Sequence, residues 1–167
     1  NLNSAYYFDG IDDYIEVNNN NPIITTSEFT ISGWAKLHGE SGGYNKQATI
    51  FEQRDDNANA SSAKSTIMFI IDYYGNNPGF FIRSSISNGS SCVASCPTPD
   101  YMEWKHYVAL IGTDDTMRVY INANQISKTY FSQTGNFHTS IDHVDIGSHR
   151  HTNNSLRGAL YGDIDDV

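Results

Sequence analysis

Apolar and polar positions alternate with a period of two through most of this chain, and no window shows the 3.6-residue recurrence of an amphipathic helix. The cleanest run is 28–37, EFTISGWAKL. It puts Phe29, Ile31, Ala35 and Leu37 on one face and Thr30, Ser32, Trp34 and Lys36 on the other. Residues 104–123 predict a hairpin. In its first arm Tyr107, Ala109 and Ile111 alternate with His106, Val108 and Leu110, so both faces are covered and the strand is expected deep in a sheet. The polar cluster 112–116 supplies the turn, and Met117, Val119 and Ile121 then point inward with Arg118 and Tyr120 outward. Asn122-Ala123-Asn124 turns the chain into a third run, 125–129, because asparagine is the non-glycine residue that best accepts φ > 0. A lone hairpin is marginal in water, so these strands need a facing sheet.

The rest of the chain supplies one. Residues 5–10 predict a short strand ending at Gly10, and 12–17 alternates Asp13, Ile15 and Val17 against Tyr14 and Glu16. Residues 48–53, 66–74 and 79–86 are predicted strands, the last two joined as a second hairpin by Gly75-Asn76-Asn77-Pro78. Residues 143–147 predict another short strand, and 158–167 a final one. Ile164 and Val167 are three positions apart, so both can face a core only if the strand is bulged around Asp165-Asp166. Between these lie polar loops at 18–22, 38–47, 54–65, 87–100, 131–140 and 148–157. About ten short strands separated by turn signals predict an all-β fold, a two-sheet antiparallel β-sandwich, forming one domain over 1–167.

A chain of 167 residues buries roughly 70% of its unfolded surface, enough for a core without a staple. Its formal charge of -9 argues against nucleic acid and anionic membranes as partners and suits cations or neutral polar ligands. No stretch approaches the ~20 apolar residues of a membrane span, and no signal peptide is visible, so a mature chain or an excised module is expected. Cys92 and Cys96 lie in a loop of Ser, Gly and Pro, and a local disulfide between them is expected, implying an oxidising compartment. So small a loop shapes its own conformation more than it stabilises the fold. Glycosylation sequons stand at Asn59, Asn88 and Asn153.

The placed strands carry a resemblance. Phe8-Asp9-Gly10-Ile11-Asp12-Asp13-Tyr14-Ile15, Phe29-Thr30-Ile31-Ser32-Gly33-Trp34 and Trp104-Lys105-His106-Tyr107-Val108-Ala109 occur in that order. Val119-Tyr120-Ile121-Asn122, Asp145-Ile146-Gly147 and Leu160-Tyr161-Gly162-Asp163-Ile164-Asp165-Asp166-Val167 follow. Together they resemble the laminin-G-like, concanavalin-A-like jelly rolls, and most closely the bacterial pentraxin-related branch. In that family the turn at Asn122-Ala123 is usually Asn-Gly, and the last strand runs several residues further. The resemblance implies a jelly-roll sandwich whose last strand is cut short here. It further implies a non-catalytic module of a larger secreted or cell-surface protein, often carbohydrate-binding and often with bound calcium. Catalytic families share the fold, so fold alone does not decide function.

Four groups of residues are candidates for chemistry. The near-echoes Asp9-Gly10-Ile11-Asp12-Asp13 and Gly162-Asp163-Ile164-Asp165-Asp166 fall on first and last strands that the family sets side by side. Carboxylates with carbonyls freed by a bulge suit Ca²⁺, which gives a structural calcium near Asp9 and Asp165, with Asp12 and Asp166 as further ligands. Loops rich in amide, carboxylate and aromatic groups suit vicinal hydroxyls and the C–H faces of a glycan. They nominate Arg54, Asp55, Asp56, Tyr73, Tyr74, Asn76, His149, Arg150 and His151. Histidines at 149 and 151, with His138 and His143, are too scattered to fix a zinc site. Asp163 and Asp165 share a face at roughly 6.6 Å along a regular strand. The jelly-roll glucanases, however, carry Glu-x-Asp-x-Glu, which is absent here, as is the alginate-lyase Gln-x-His motif. The expectation is a lectin-like module that binds an oligo- or polysaccharide. A structural or protein-binding adhesin module is the alternative, and a polysaccharide hydrolase or lyase stands below both.

Overall fold

The computed structural model describes residues 4–17, 23–26, 28–39, 47–54, 66–73, 77–83, 90–93, 101–130, 143–150 and 156–167. Among them the strands are β1 (Tyr6–Asp9), β2 (Ile15–Glu16), β3 (Phe29–Leu37), β4 (Ala48–Arg54), β5 (Thr66–Tyr73), β6 (Asn77–Arg83) and β7 (Ser90–Val93). They continue with β8 (Lys105–Ile111), β9 (Thr116–Ile121), β10 (Asn124–Tyr130), β11 (His143–Ile146), β12 (His149–Arg150), β13 (Leu156–Arg157) and β14 (Tyr161–Asp165). Two six-stranded sheets form, in the orders β1-β14-β3-β8-β9-β10 and β2-β11-β4-β5-β6-β7, with β12 and β13 as a small separate hairpin. The ladders are antiparallel. No helix occurs among the described residues, and the sandwich of the all-β reading is the observed architecture.

Period-two patterning places the core. Along β3 the inward face is Ile31, Gly33, Ala35 and Leu37, and along β8 it is Tyr107, Ala109 and Ile111. Met117 and Val119 of β9 complete that layer. The second sheet answers with Ile50, Phe51, Ile67, Phe69, Ile71 and Val144. Phe8 and Leu160 are buried at the seam between the sheets. The β9–β10 turn has Asn122 at φ 49° and Ala123 at φ 65°, so the expected left-handed asparagine is followed by an alanine in a conformation that favours glycine.

The bulge expected around Asp165-Asp166 is not formed: the β14 ladders run without a register shift, and Val167 is 45% exposed. Ile164 is buried, the ladder ends at Asp165, and Asp166 takes φ 53°. That left-handed residue swings Val167 back over Gly33, where an added Cβ would stand 2.8 Å from Val167 Cγ2. Other boundaries differ from the pattern. The run 12–17 pairs at Ile15 and Glu16, with the Val17 amide donating to the Val144 carbonyl at 2.8 Å. Its first residues stay out of the sheet because Asp13 Oδ2 accepts from the Asp9 amide at 2.9 Å and holds them in a turn. Short, polar β7, β12 and β13 carry no alternation, and their partners β6 and each other define them as strands.

Candidate functional site

Register on the first sheet stacks its outward side chains into rows that run across the strands. Tyr7 stands opposite Asp163, and Asp163 opposite Lys36. Next along, Asp165 stands opposite Trp34 and Trp34 opposite His106. On the other side of the first row, Asp9 stands opposite Tyr161, and His38 joins that row through its amide, which donates to the Tyr161 carbonyl at 2.9 Å. Directly opposed residues in an antiparallel pair point to the same face, so these groups share one surface.

Their contacts tie the rows together. Asp163 Oδ2 lies 2.8 Å from Lys36 Nζ and 2.9 Å from His38 Nε2. Lys36 Nζ sits 5.5 Å over the Trp104 ring centroid, within cation–π range. His38 lies between two tyrosine rings, with centroids 5.7 Å from Tyr7 and 5.6 Å from Tyr161, the latter edge-on at 78°. Trp34 and His106 form a second ring pair at 5.1 Å. Tyr7 is 55% exposed, while the other rings are half-buried. The surface is therefore a half-buried carboxylate–ammonium–imidazole cluster bounded by aromatic faces.

An acidic corner adjoins it. Carboxylate oxygens of Asp9, Asp12 and Asp13 all lie within 4.8 Å of one another. Asp9 Oδ1 accepts from the amides of Ile11 at 2.8 Å and Asp12 at 3.4 Å, which fixes the turn. Gly10 makes the turn possible, with φ 79° and an ideal Cβ position only 2.8 Å from the Tyr161 Cβ. The Tyr7 phenol is pushed above its ordinary value, first by desolvation and then by its neighbours Tyr161, Asp9, Asp13 and Asp163. Corner and ring surface are thus electrostatically one region.

A laminin G-type family model described as the concanavalin A-like lectin/glucanases superfamily matches residues 9–167. The chain belongs to that superfamily. A search of curated proteins finds none that matches this sequence. Among solved structures it is similar to domain 4 of AbnA, a GH43 extracellular arabinanase from Geobacillus stearothermophilus, in complex with arabinotriose. That similarity has a TM-score of 0.67 at 16% identity, covering 96% of this chain and 67% of that one. It is also similar to the CBM40 of the Ruminococcus gnavus IT-sialidase bound to α2,6 sialyllactose, with a TM-score of 0.64 at 9% identity, covering 89% and 85%. Domains LG4-5 of the mouse laminin α1 chain match at TM-score 0.68 and 9% identity, covering 96% and 39%. At these identities the likenesses show the superfamily fold.

Within that fold the residues expected to act together are divided. Asp9 and Asp165 do not meet: Asp9 pairs with Tyr161, and Asp165 lies four residues further along β14, roughly 13 Å at ~3.3 Å per residue. Asp166 goes with Asp165, whose Oδ1 accepts its amide at 3.0 Å. The carboxylate that joins Asp9 and Asp12 is Asp13, whose place in the alternation of 12–17 had marked it as a strand residue. Asp163 and Asp165 do share the outer face of β14, but Asp163 is engaged by Lys36 and His38.

The loop residues separate as well. Arg54 ends β4, 12% exposed, with Nη1 4.0 Å from the buried Glu52 carboxylate, so its guanidinium is directed at a protein group. Glu52 stands opposite Asp145, and Asp145 opposite Glu16, a row of acids across the second sheet. The opposite end of β4 is where β5 finishes, with Ala48 facing Asp72 next to Tyr73. The His149–Arg150 strand also lies against β4. The β11–β4 register runs from His143 at Arg54 to Ile146 at Phe51, so the chain reaches that strand moving away from Arg54. That end is also the end of the ring surface, since Thr49 donates to Gly158 at 3.1 Å and Leu160 to Gly147 at 2.8 Å. Asp55, Asp56, Tyr74, Asn76, His151 and Cys96 lie outside the described residues, and Cys92 lies on β7. Of the face residues, Tyr7, Lys36, His38 and Tyr161 were missed as a site, and Asp163 was weighed only beside Asp165. Their signal was present as polar and aromatic residues on the outward phase of the best-patterned strands.

Proposed function

We propose that the chain is a non-catalytic, secreted carbohydrate-binding module of a larger protein, and that it binds glycan on the outer face of its first sheet. The observation that carries this reading is the Asp163–Lys36–His38 cluster flanked by Tyr7, Tyr161 and Trp104. Sugars need planar or charged groups for their hydroxyls and aromatic faces for their C–H surfaces, and this face offers both within one strand spacing. Asp163 accepts hydroxyl hydrogens, Lys36 and His38 donate to hydroxyl oxygens, and the rings exclude water. The sugar-bound neighbours in the superfamily support the same reading: arabinotriose on the arabinanase domain and sialyllactose on the CBM40.

Calcium fits the acidic corner by donor chemistry. Asp9, Asp12 and Asp13 present hard oxygens within 4.8 Å, the kind of donor set Ca²⁺ takes. Asp9 Oδ1 and Asp13 Oδ2 already hold amides of the turn, which orients the remaining oxygens. A bound cation would supply fixed positive charge that offsets the repulsion among these carboxylates and stiffens the turn beneath Tyr7. A glycan array probed once in millimolar calcium and once in EDTA tests the whole reading. Binding in both conditions supports a glycan site on rings and ion pairs. Binding lost in EDTA makes the corner part of it. A blank array in both conditions refutes the function. Calcium has its own check: at a concentration about 100 times its Kd it should stabilise the fold by about 2.7 kcal/mol, and an unchanged melting temperature refutes it.

A further inference from the structure

We propose that this face binds an internal stretch of an extended, uncharged polysaccharide that crosses the strands, a specificity that rests on the carbohydrate-binding reading above. The row Tyr7, Asp163, Lys36, Trp104 crosses β1, β14 and β3 to the start of β8. Three interstrand steps of ~4.8 Å make it about 14 Å long, the span of roughly three linked sugar rings. Its ends are aromatic and its middle is the ion pair. A chain lying along it therefore stacks at both ends and exchanges hydroxyl hydrogen bonds at the centre. The face is a sheet surface with Tyr7 more than half exposed, so nothing on that strand walls off a terminal sugar.

Charge selects the class of polymer. Lys36 and His38 are both turned to Asp163, so the centre of the row holds no surplus positive charge for a uronate or sialate. Asp9, Asp12 and Asp13 stand beside the Tyr7 end. In a chain of formal charge -9, a polyanion approaching this face meets these three carboxylates, which keep a net negative charge even around one divalent cation, while a neutral chain meets no such barrier.

Native gels containing arabinan, xylan, mixed-linkage β-glucan or polygalacturonate give the first readout. Calorimetry with a ladder from monosaccharide to hexasaccharide of the retarding polymer gives the second. The expected result is retardation by a neutral polymer and not by polygalacturonate. Affinity should rise about tenfold or more from one unit to three, equivalent to ~1.4 kcal/mol, and level off beyond that. Tyr7→Ala, at an exposed position, should weaken the trisaccharide by about the same factor, and so should Trp104→Phe to a smaller extent. Equal affinity for monosaccharide and trisaccharide overturns the extended-chain proposal. Polygalacturonate retarding as strongly as any neutral polymer overturns the charge assignment. Retardation by none of the four overturns this proposal, and the carbohydrate-binding reading falls with it only where the glycan array is blank as well.

Discussion

Replacing Gly147 by alanine tests how the seam of the sandwich is closed. Gly147 follows β11 at φ 88°. Its amide donates to Ile50 at 3.2 Å and its carbonyl accepts from Leu160 at 2.8 Å, so the backbone is pinned from both sides. An alanine Cβ there would stand 2.2 Å from Phe8 Cε1 and 2.5 Å from Cδ1, and Phe8 is 2% exposed in the core. Two costs follow. A left-handed L-residue costs about 1–2 kcal/mol, and forcing a buried ring aside costs about 1–3 kcal/mol. The sum, about 2–5 kcal/mol, is a large share of the ~5–15 kcal/mol that holds a domain folded. Urea denaturation followed by tryptophan fluorescence and circular dichroism reads it. The two costs separate in a cycle with Phe8→Leu. If the clash matters, the second substitution should be less destabilising in the Gly147→Ala background than in the parent by about 1 kcal/mol. A Gly147→Ala variant within about 0.5 kcal/mol of the parent would refute both the conformation and the contact.

Three further outcomes are expected. Ala123→Gly should stabilise the fold by about 0.5–1 kcal/mol, because relief of the left-handed alanine at φ 65° exceeds the entropy glycine adds to the unfolded chain. A loss of stability would place the β9–β10 turn in another conformation. Gln53→Leu should cost about 2–4 kcal/mol: the buried amide accepts from Ile23 and Ile24 at 2.9 Å each and donates to the Ile24 carbonyl at 2.8 Å. The same variant should speed exchange of the Ile24 amide, and unchanged exchange would refute the clamp. Asp114 should titrate at about 2, held down first by the Thr116 hydroxyl at 2.5 Å, then by Arg118 and Lys128. With a folded pKa below the unfolded 3.8, its contribution to stability is present above that value and is lost as pH falls through about 2. A carboxyl titration by NMR with its midpoint at 3.8, or one that Thr116→Val fails to raise, would contradict the hydrogen bonding.

The chain's own alternation determined the sheets. On β3 it assigned each buried position, because a strand's side chains alternate by geometry and water sorts the apolar set inward whatever the partners are. On β8 it expected both faces covered, and the structure buries only Tyr107, Ala109 and Ile111. It misjudged the end of β14, where the ladder stops at Asp165 and a left-handed Asp166 leaves Val167 45% exposed instead of a bulge bringing it into the core. Alternation names a face, but it leaves open which residues of other strands share it. Asp9 and Asp165 looked alike in sequence, yet antiparallel register set them at opposite ends of β14. The same register gathered Tyr7, Asp163 and Lys36 from three strands distant in the chain. Asp13 joined Asp9 through one side-chain-to-amide bond that no period encodes. Local pattern is a property of neighbours along the chain and is legible there. A site on a sheet face is a property of register and topology, which are fixed only when the whole hydrophobic surface is buried at once.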